Sequence, residues 1–318
     1  MKKLLFALAA ALACWACTES PEIEELPLDQ HEVVITAKTD GSRAMYNPTN
    51  KTTRWEATDV LGCFAERNNN IKFKATNINA SQFSSLVTGD PSEYYFYFPY
   101  NANAKMANGV ITTELLTTQQ LRAGSYAPTI PMVAYTTSID DVSFDNLCGV
   151  LTFNVRSNID RILTSFTFES NDHSPVAGTY TVDMNQTPYT LNLVSNKSSK
   201  VTMEGSVAMT AETDYKFYVF LPPMTHASGF TITLGDSKDR TFEKVFTKKL
   251  TVKKAVMTNV STLMYFESPL ETTSLELTSM SSSSPAATFT IDQEAMTARA
   301  SLNGFTNPKS SKITLGYT

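Results

Sequence analysis

From His31 onward the chain alternates apolar and polar residues with a period of two, in short runs broken by Asn, Gly, Asp and Pro. No other feature constrains the fold as much. Val33-Val34-Ile35-Thr36-Ala37, Tyr94-Tyr95-Phe96-Tyr97-Phe98, Val150-Leu151-Thr152-Phe153-Asn154-Val155, Tyr215-Lys216-Phe217-Tyr218-Val219-Phe220 and Phe230-Thr231-Ile232-Thr233-Leu234 are examples. In an extended chain, residues two apart share a face, so each run can bury one side and wet the other. No stretch holds a capped 3.6-residue repeat beyond about two turns. The pattern predicts an all-β protein of sandwich type. With 318 residues and 42% hydrophobic content, the chain has material for two cores at roughly 150 residues each.

The amino terminus reads differently. Met1-Lys2-Lys3 is a short basic segment, Leu4 to Ala13 is apolar, and small residues follow, the layout of an export signal. It falls short of the ~20 apolar residues that a membrane-spanning helix needs. The run ends in Ala13-Cys14-Trp15-Ala16-Cys17, and a Cys after a small residue at this place resembles a bacterial lipobox. Cys17 is the expected lipid-bearing residue, with Cys14 as the alternative. Residues 1–17 are thus read as a lipoprotein signal peptide and 18–31 as an acidic tether. Cys14 and Cys17 also form a Cys-x-x-Cys, but in or beside a cleaved leader, with no second pair to complete a metal site. Cys63 and Cys148 sit in apolar runs and fit either a disulfide or two buried thiols.

Charge and motif content narrow the function. Lys and Arg number 26 against 31 Asp and Glu, a net −5, so there is no basic surplus for a phosphate backbone and no nucleic-acid partner is expected. Three His and four Cys, scattered, offer little for a metal or a His-based catalytic centre. Phosphate-loop, dinucleotide, zinc-protease and serine-hydrolase strings do not occur. No enzyme, metal or cofactor is expected. Asp140-Asp141 with Asp145 reads as a solvated loop rather than a calcium site, and Asp172-His173-Ser174 as a turn rather than a triad. Tyr94, Tyr95, Tyr97 and Tyr100 could form an aromatic platform for a glycan, although alternation sends half of them to the core. Lys244, Lys248, Lys249, Lys253 and Lys254 read as edge lysines that discourage unwanted strand pairing.

The order of landmarks is similar to that of the Bacteroidales-type fimbrillin family, lipoprotein-derived subunits of surface fimbriae. Ser42-Arg43-Ala44 follows a first strand. Arg54-Trp55-Glu56-Ala57-Thr58-Asp59-Val60-Leu61-Gly62-Cys63-Phe64 carries the family's Trp, Asp and apolar-Gly-apolar-Phe signature. Tyr94 to Tyr100, with Pro99-Tyr100 at its end, matches the tyrosine-rich strand. Gln119-Gln120, Phe144 to Phe153, Ala177-Gly178-Thr179-Tyr180 and Phe220-Leu221-Pro222-Pro223 follow in order. The resemblance covers roughly residues 31 to 266. It implies two tandem transthyretin-like β-sandwich domains, taken as 32–158 and 159–267, on an outer-membrane lipoprotein exposed at the cell surface or built into a fimbrium. It also implies assembly by strand exchange: a protease cuts after Arg43, the strand Val33, Val34, Ile35, Thr36, Ala37 leaves, and another fimbrial subunit's strand fills the groove. Trp55, Asp59, Gly62, Phe64, Pro99, Tyr100, Gly178 and Pro222 are the expected structural signature. A host or bacterial surface ligand fits the same adhesive role. The alternative is a glycan-binding surface lipoprotein, or the non-catalytic front of a longer carbohydrate-handling protein.

Past the Ser-rich break Ser279 to Pro285, three strand-like runs resemble the opening of a fibronectin type III-like module. Residues 268–318 are therefore expected to be a linker and the start of a third, Ig or fibronectin III-like β domain.

Overall fold

The structure is a computed structural model that describes residues 29–39, 46–47, 52–53, 55–124, 129–267, 287–292 and 297–302. Among these residues it is all-β, as the alternation predicts, apart from one 3-10 turn at Ile78–Ala80. The early strands are β1 (Gln30–Thr39), β2 (Tyr46–Asn47), β3 (Thr52–Thr53), β4 (Val60–Ala65), β5 (Asn68–Asn77), β6 (Gln82–Thr88), β7 (Tyr94–Phe98), β8 (Lys105–Ala107) and β9 (Val110–Leu115). The middle holds β10 (Thr118–Gln120), β11 (Met132–Thr136), β12 (Val142–Asn146), β13 (Gly149–Ser157), β14 (Arg161–Ser170), β15 (Ala177–Asp183), β16 (Asn192–Ser198) and β17 (Lys200–Met209). Then come β18 (Tyr215–Leu221), β19 (Met224–His226), β20 (Phe230–Asp236), β21 (Thr241–Phe246), β22 (Leu250–Val252), β23 (Met257–Phe266), β24 (Ala287–Asp292) and β25 (Thr297–Leu302).

Seven strands close on themselves in the order β1-β12-β11-β7-β4-β5-β6, forming a barrel. Its interior is packed by Val33, Ile35, Trp55, Phe73, Phe83, Phe96 and Phe144 among others. A second core lies among a five-stranded sheet (β10-β17-β14-β20-β21), a three-stranded sheet (β18-β13-β23) and a four-stranded sheet (β16-β15-β9-β8). Strands on both sides of residue 158 enter this second core, since β9 pairs with β15, β10 with β17, and β13 with β18 and β23.

The two cores share a wall. On β4, Leu61 and Cys63 face the barrel interior while Phe64 joins the second core, and on β7 Phe96 and Phe98 go inward while Tyr97 goes outward. Both faces are thus covered, which explains why these strands read as unbroken apolar runs. Gly62 is required there: a Cβ at this position would lie 2.0 Å from the Tyr97 ring. Cys63 and Cys148 are free and buried, one in each core. Of the expected edge lysines, Lys244 lies on β21, which ends the five-stranded sheet.

Candidate functional site: the seam closed by β1

The barrel is closed by its first strand. On one side β1 runs antiparallel to β6, from Gln30 opposite Thr88 to Thr36 opposite Gln82. On the other it runs parallel to β12 over a short stretch, Ala37–Thr39 beside Val142–Phe144. Val33, Ile35 and Ala37 are buried, whereas Val34 between them is 45% exposed. That is the alternation of a strand with one apolar and one wet face. Burying Val33 and Ile35 is worth about 1.5–3 kcal/mol each.

Ala37 is fixed from two directions. Its N–H donates to Ser81 O at 2.8 Å, and its carbonyl accepts from Trp55 Nε1 at 2.9 Å. The indole is itself wedged edge-on among Phe83, Phe98 and Phe144, with ring centroids 5.1, 5.2 and 5.6 Å away. Such T-shaped contacts exceed simple area burial by about 0.5–1.5 kcal/mol each. A buried indole N–H needs an acceptor, and here the acceptor is the backbone of β1. The exposed pair Lys38 and Asp141, 2.6 Å apart, braces the parallel side.

Asp59 caps the turn that carries Trp55. Its Oδ2 accepts from Glu56 N at 2.7 Å, and its own N–H donates to Glu56 O at 3.0 Å. Burial pushes its pKa up to about 7, against the opposing pull of the Glu56 N–H. Glu56 pairs with Arg122 at 3.0 Å, tying the turn to the segment after β10.

With this geometry described, the chain can be set beside other proteins. No protein-family model matches it, and no curated protein matches it. Solved structures similar to it include two proteins each described as a "putative cell adhesion protein". The one from Bacteroides ovatus has a TM-score of 0.46 and 13% identity, over 76% of this chain and 94% of that one. The one from Bacteroides uniformis has a TM-score of 0.41 and 15% identity, over 67% and 84%. A fimbrial protein from Bacteroides ovatus aligns with a TM-score of 0.34 and 14% identity, over 75% of this chain and 50% of its own length.

The signature residues occupy distinct places. Trp55, Asp59, Gly62 and Phe64 lie together at the start of the barrel wall. Tyr100 is half-buried, with Lys72 Nζ 4.8 Å from its ring centroid, and its N–H donates to Val60 O at 3.0 Å. Pro99 precedes it at the end of β7, where no further ladder N–H is needed. Gly178 lies far along the chain in β15 at φ +135°, and a Cβ there would lie 2.7 Å from the carbonyls of Ser195 and Asn196. Pro222 follows β18 and is buried. Cys14, Cys17 and Arg43 fall outside the described residues.

Two polar clusters join residues distant in sequence, and of their members only Asp172 was singled out there. In the first, Ser170, Asp172 and His226 come together: Ser170 Oγ lies 2.6 Å from Asp172 Oδ1 and 2.8 Å from His226 Nδ1. His173, next to Asp172 in sequence, instead occupies the turn at φ 57°. The carboxylate also accepts from Ala227 N at 2.7 Å and Ser174 N at 3.1 Å. Donation by the hydroxyl to Asp172 leaves His226 Nδ1 as the donor to Ser170. Its Nε2 is buried without a partner among the described residues. Burial holds the imidazole pKa below its usual value, with Asp172 acting in the other direction. A serine whose proton is given to a carboxylate, in a fully buried position, is a structural node. It is not an activated nucleophile.

The second cluster centres on Arg161 and Asp236, whose side chains have no solvent exposure and meet at 3.1 Å. Arg161 also donates to Ser157 Oγ at 2.6 Å and to Phe266 O at 2.9 Å, and its guanidinium carbon lies 3.5 Å from the Phe266 ring centroid. Arg240 adds a second cation to Asp236 at 2.8 Å. Burial raises the Asp236 pKa, but hydrogen bonds from the Arg240 side chain and from the backbone of Lys238 and Arg240 outweigh it and hold the carboxyl below its ordinary range.

Proposed function

We propose that this protein is a non-enzymatic cell-surface adhesion or fimbrial subunit that associates with like subunits by exchange of β1. A lipid on Cys17, or on Cys14, would hold it to the outer membrane through the tether 18–31. The observation that carries this reading is the way β1 is seated. It contributes a complete apolar stripe to a barrel, yet on its parallel side the backbone pairing is confined to Ala37–Thr39. Cutting after Arg43 separates β1 from the rest of the barrel while leaving every other barrel strand in one chain.

Once vacated, the seam would expose the β6 ladder from Gln82 to Thr88 and the apolar places of Val33, Ile35 and Ala37. An incoming strand with small or β-branched residues at every second position would satisfy both, which is the chemistry of strand addition. The Trp55 N–H supports this reading because its acceptor is a backbone carbonyl, and any strand in the same register can supply one.

The test is limited digestion of the intact chain with an Arg-specific protease, followed by size analysis under non-denaturing conditions. Cleavage at Arg43 should release β1 and yield a ladder of multimers. A cut chain that loses β1 and stays monomeric overturns strand exchange.

A further inference from the structure

Alternation in β7 turns Tyr94 into the barrel and sends Tyr95 and Tyr97 to the opposite face; Tyr97 is buried in the second core, while Tyr95, half-buried beside it, stands opposite Tyr135 of β11. The two rings pack at 5.1 Å between centroids with planes 44° apart, and Tyr135 remains 39% exposed. Their hydroxyls converge on one carboxylate: Tyr95 Oη donates to Glu93 Oε2 at 2.9 Å and Tyr135 Oη donates to Glu93 Oε1 at 2.8 Å. No cation pairs with Glu93 among the described residues. Close by, Lys254 Nζ is committed to the Tyr189 carbonyl at 2.8 Å and to Asp145 at 3.8 Å. Tyr189 is near enough to both phenols to disfavour their ionisation further. Burial and Glu93 together push Tyr95 up to about 12.

The geometry points to a carbohydrate-binding site at Tyr135, Tyr95 and Glu93, with a neutral hexopyranose stacked on Tyr135. Each phenol has given away its only proton, so its oxygen now offers lone pairs alone, as do the carboxylate oxygens. The rim is therefore made of acceptors. A ligand that satisfies it must bring several O–H donors and a flat C–H face for the ring, and a pyranose carries both. A quaternary ammonium would fit the ring face and offset the Glu93 charge but donate no hydrogen bond to the phenol oxygens, and an anion would face Glu93 directly. The platform is also preorganised, because tyrosines pinned at both ends lose little rotamer freedom on binding. β1 takes no part in it, so this site and strand exchange stand or fall separately.

The test titrates the intact, uncleaved chain with chitotetraose, maltotetraose and β-mannotetraose by calorimetry and ligand-observed NMR. At least one is expected to bind saturably. Tyr135→Ala should weaken that binding about tenfold or more, equivalent to about 1.4 kcal/mol, while Tyr135→Phe, which keeps the ring, weakens it less. Glu93→Gln should also weaken it, with the fold of each variant checked by circular dichroism. Failure of all three sugars at about 10 mM, or binding that Tyr135→Ala leaves unchanged, overturns the site. Tetramethylammonium binding that is lost in Tyr135→Ala, without sugar binding, would replace the pyranose by a cation and equally overturn it.

Discussion

The two cores are each completed by a strand that lies parallel to an inner neighbour, and the two strands are held differently. β1 meets β12 only through Ala37–Thr39, whereas β23 follows β13 from Val150 to Ser157. Each is clasped by a side chain that donates to a backbone carbonyl near its end, Trp55 to Ala37 and Arg161 to Phe266. The Trp55 clasp is neutral, and when its partner leaves it strands one N–H. The Arg161 clasp is ionic and buried, so disturbing it also leaves Asp236 with fewer charge partners in a low-dielectric interior. A strand meant to be exchanged can afford the first arrangement and not the second. Under the proposed exchange, β1 would be the strand that can leave and β23 the one that stays.

The sharpest way to break this contrast is to remove each clasp in turn. Arg161→Ala should cost about 3–5 kcal/mol in urea unfolding, the range for breaking a buried ion pair. Trp55→Phe should cost about 1–3 kcal/mol, mainly for the unsatisfied Ala37 carbonyl. Amide exchange should localise the two effects, accelerating in β23 for the first and in β1 for the second. Equal costs, or no acceleration in β1, would erase the distinction.

A second test uses pH, because the two regions should respond with opposite sign. Asp59 has a folded pKa of about 7 against 3.8 for the free group, so the folded state holds its proton longer than the unfolded one. Its contribution is complete below about 4 and is lost as pH rises through about 7. His226 has a folded pKa below 6.5, so the unfolded state takes up the proton first and the second core weakens as pH falls below that value. Amide exchange at pH 5 and pH 8 should show the barrel better protected at the lower value and the strands around His226 at the higher. Asp59→Asn and His226→Gln should flatten the respective slopes. The smallest expected effect belongs to Asp141→Asn, which removes the exposed brace to Lys38 and should change stability by less than about 1 kcal/mol, less still in high salt.

Much of this was legible in the sequence, and the limit has a physical origin. The alternation in Val33 to Ala37 marked a strand with one buried face, and the apolar run around Cys63 fitted the buried thiol found there. Local pattern reports which face of a strand is wet, because that depends on residues two apart. It does not report partners. That Gln119 would lay its side chain against the backbone of Phe220, with Nε2 2.8 Å from the carbonyl, has no trace near either residue. The same holds for Ser170 and His226, and for the meeting of Arg161 with Asp236. In the sequence Arg161 stands just past the expected domain boundary at residue 158 and carries no other signal. Its role depends on a carboxylate that only the folded chain brings to it.

The placement of the two buried cysteines gives each core its own chemical clock. Burial pushes both thiols well above their usual pKa, so neither forms an appreciable thiolate while its surroundings stay closed. An alkylating reagent that reaches Cys63 therefore records an opening of the barrel, and one that reaches Cys148 records an opening of the second core. Peptide mapping of the modified chain would time each opening without any substitution in the protein.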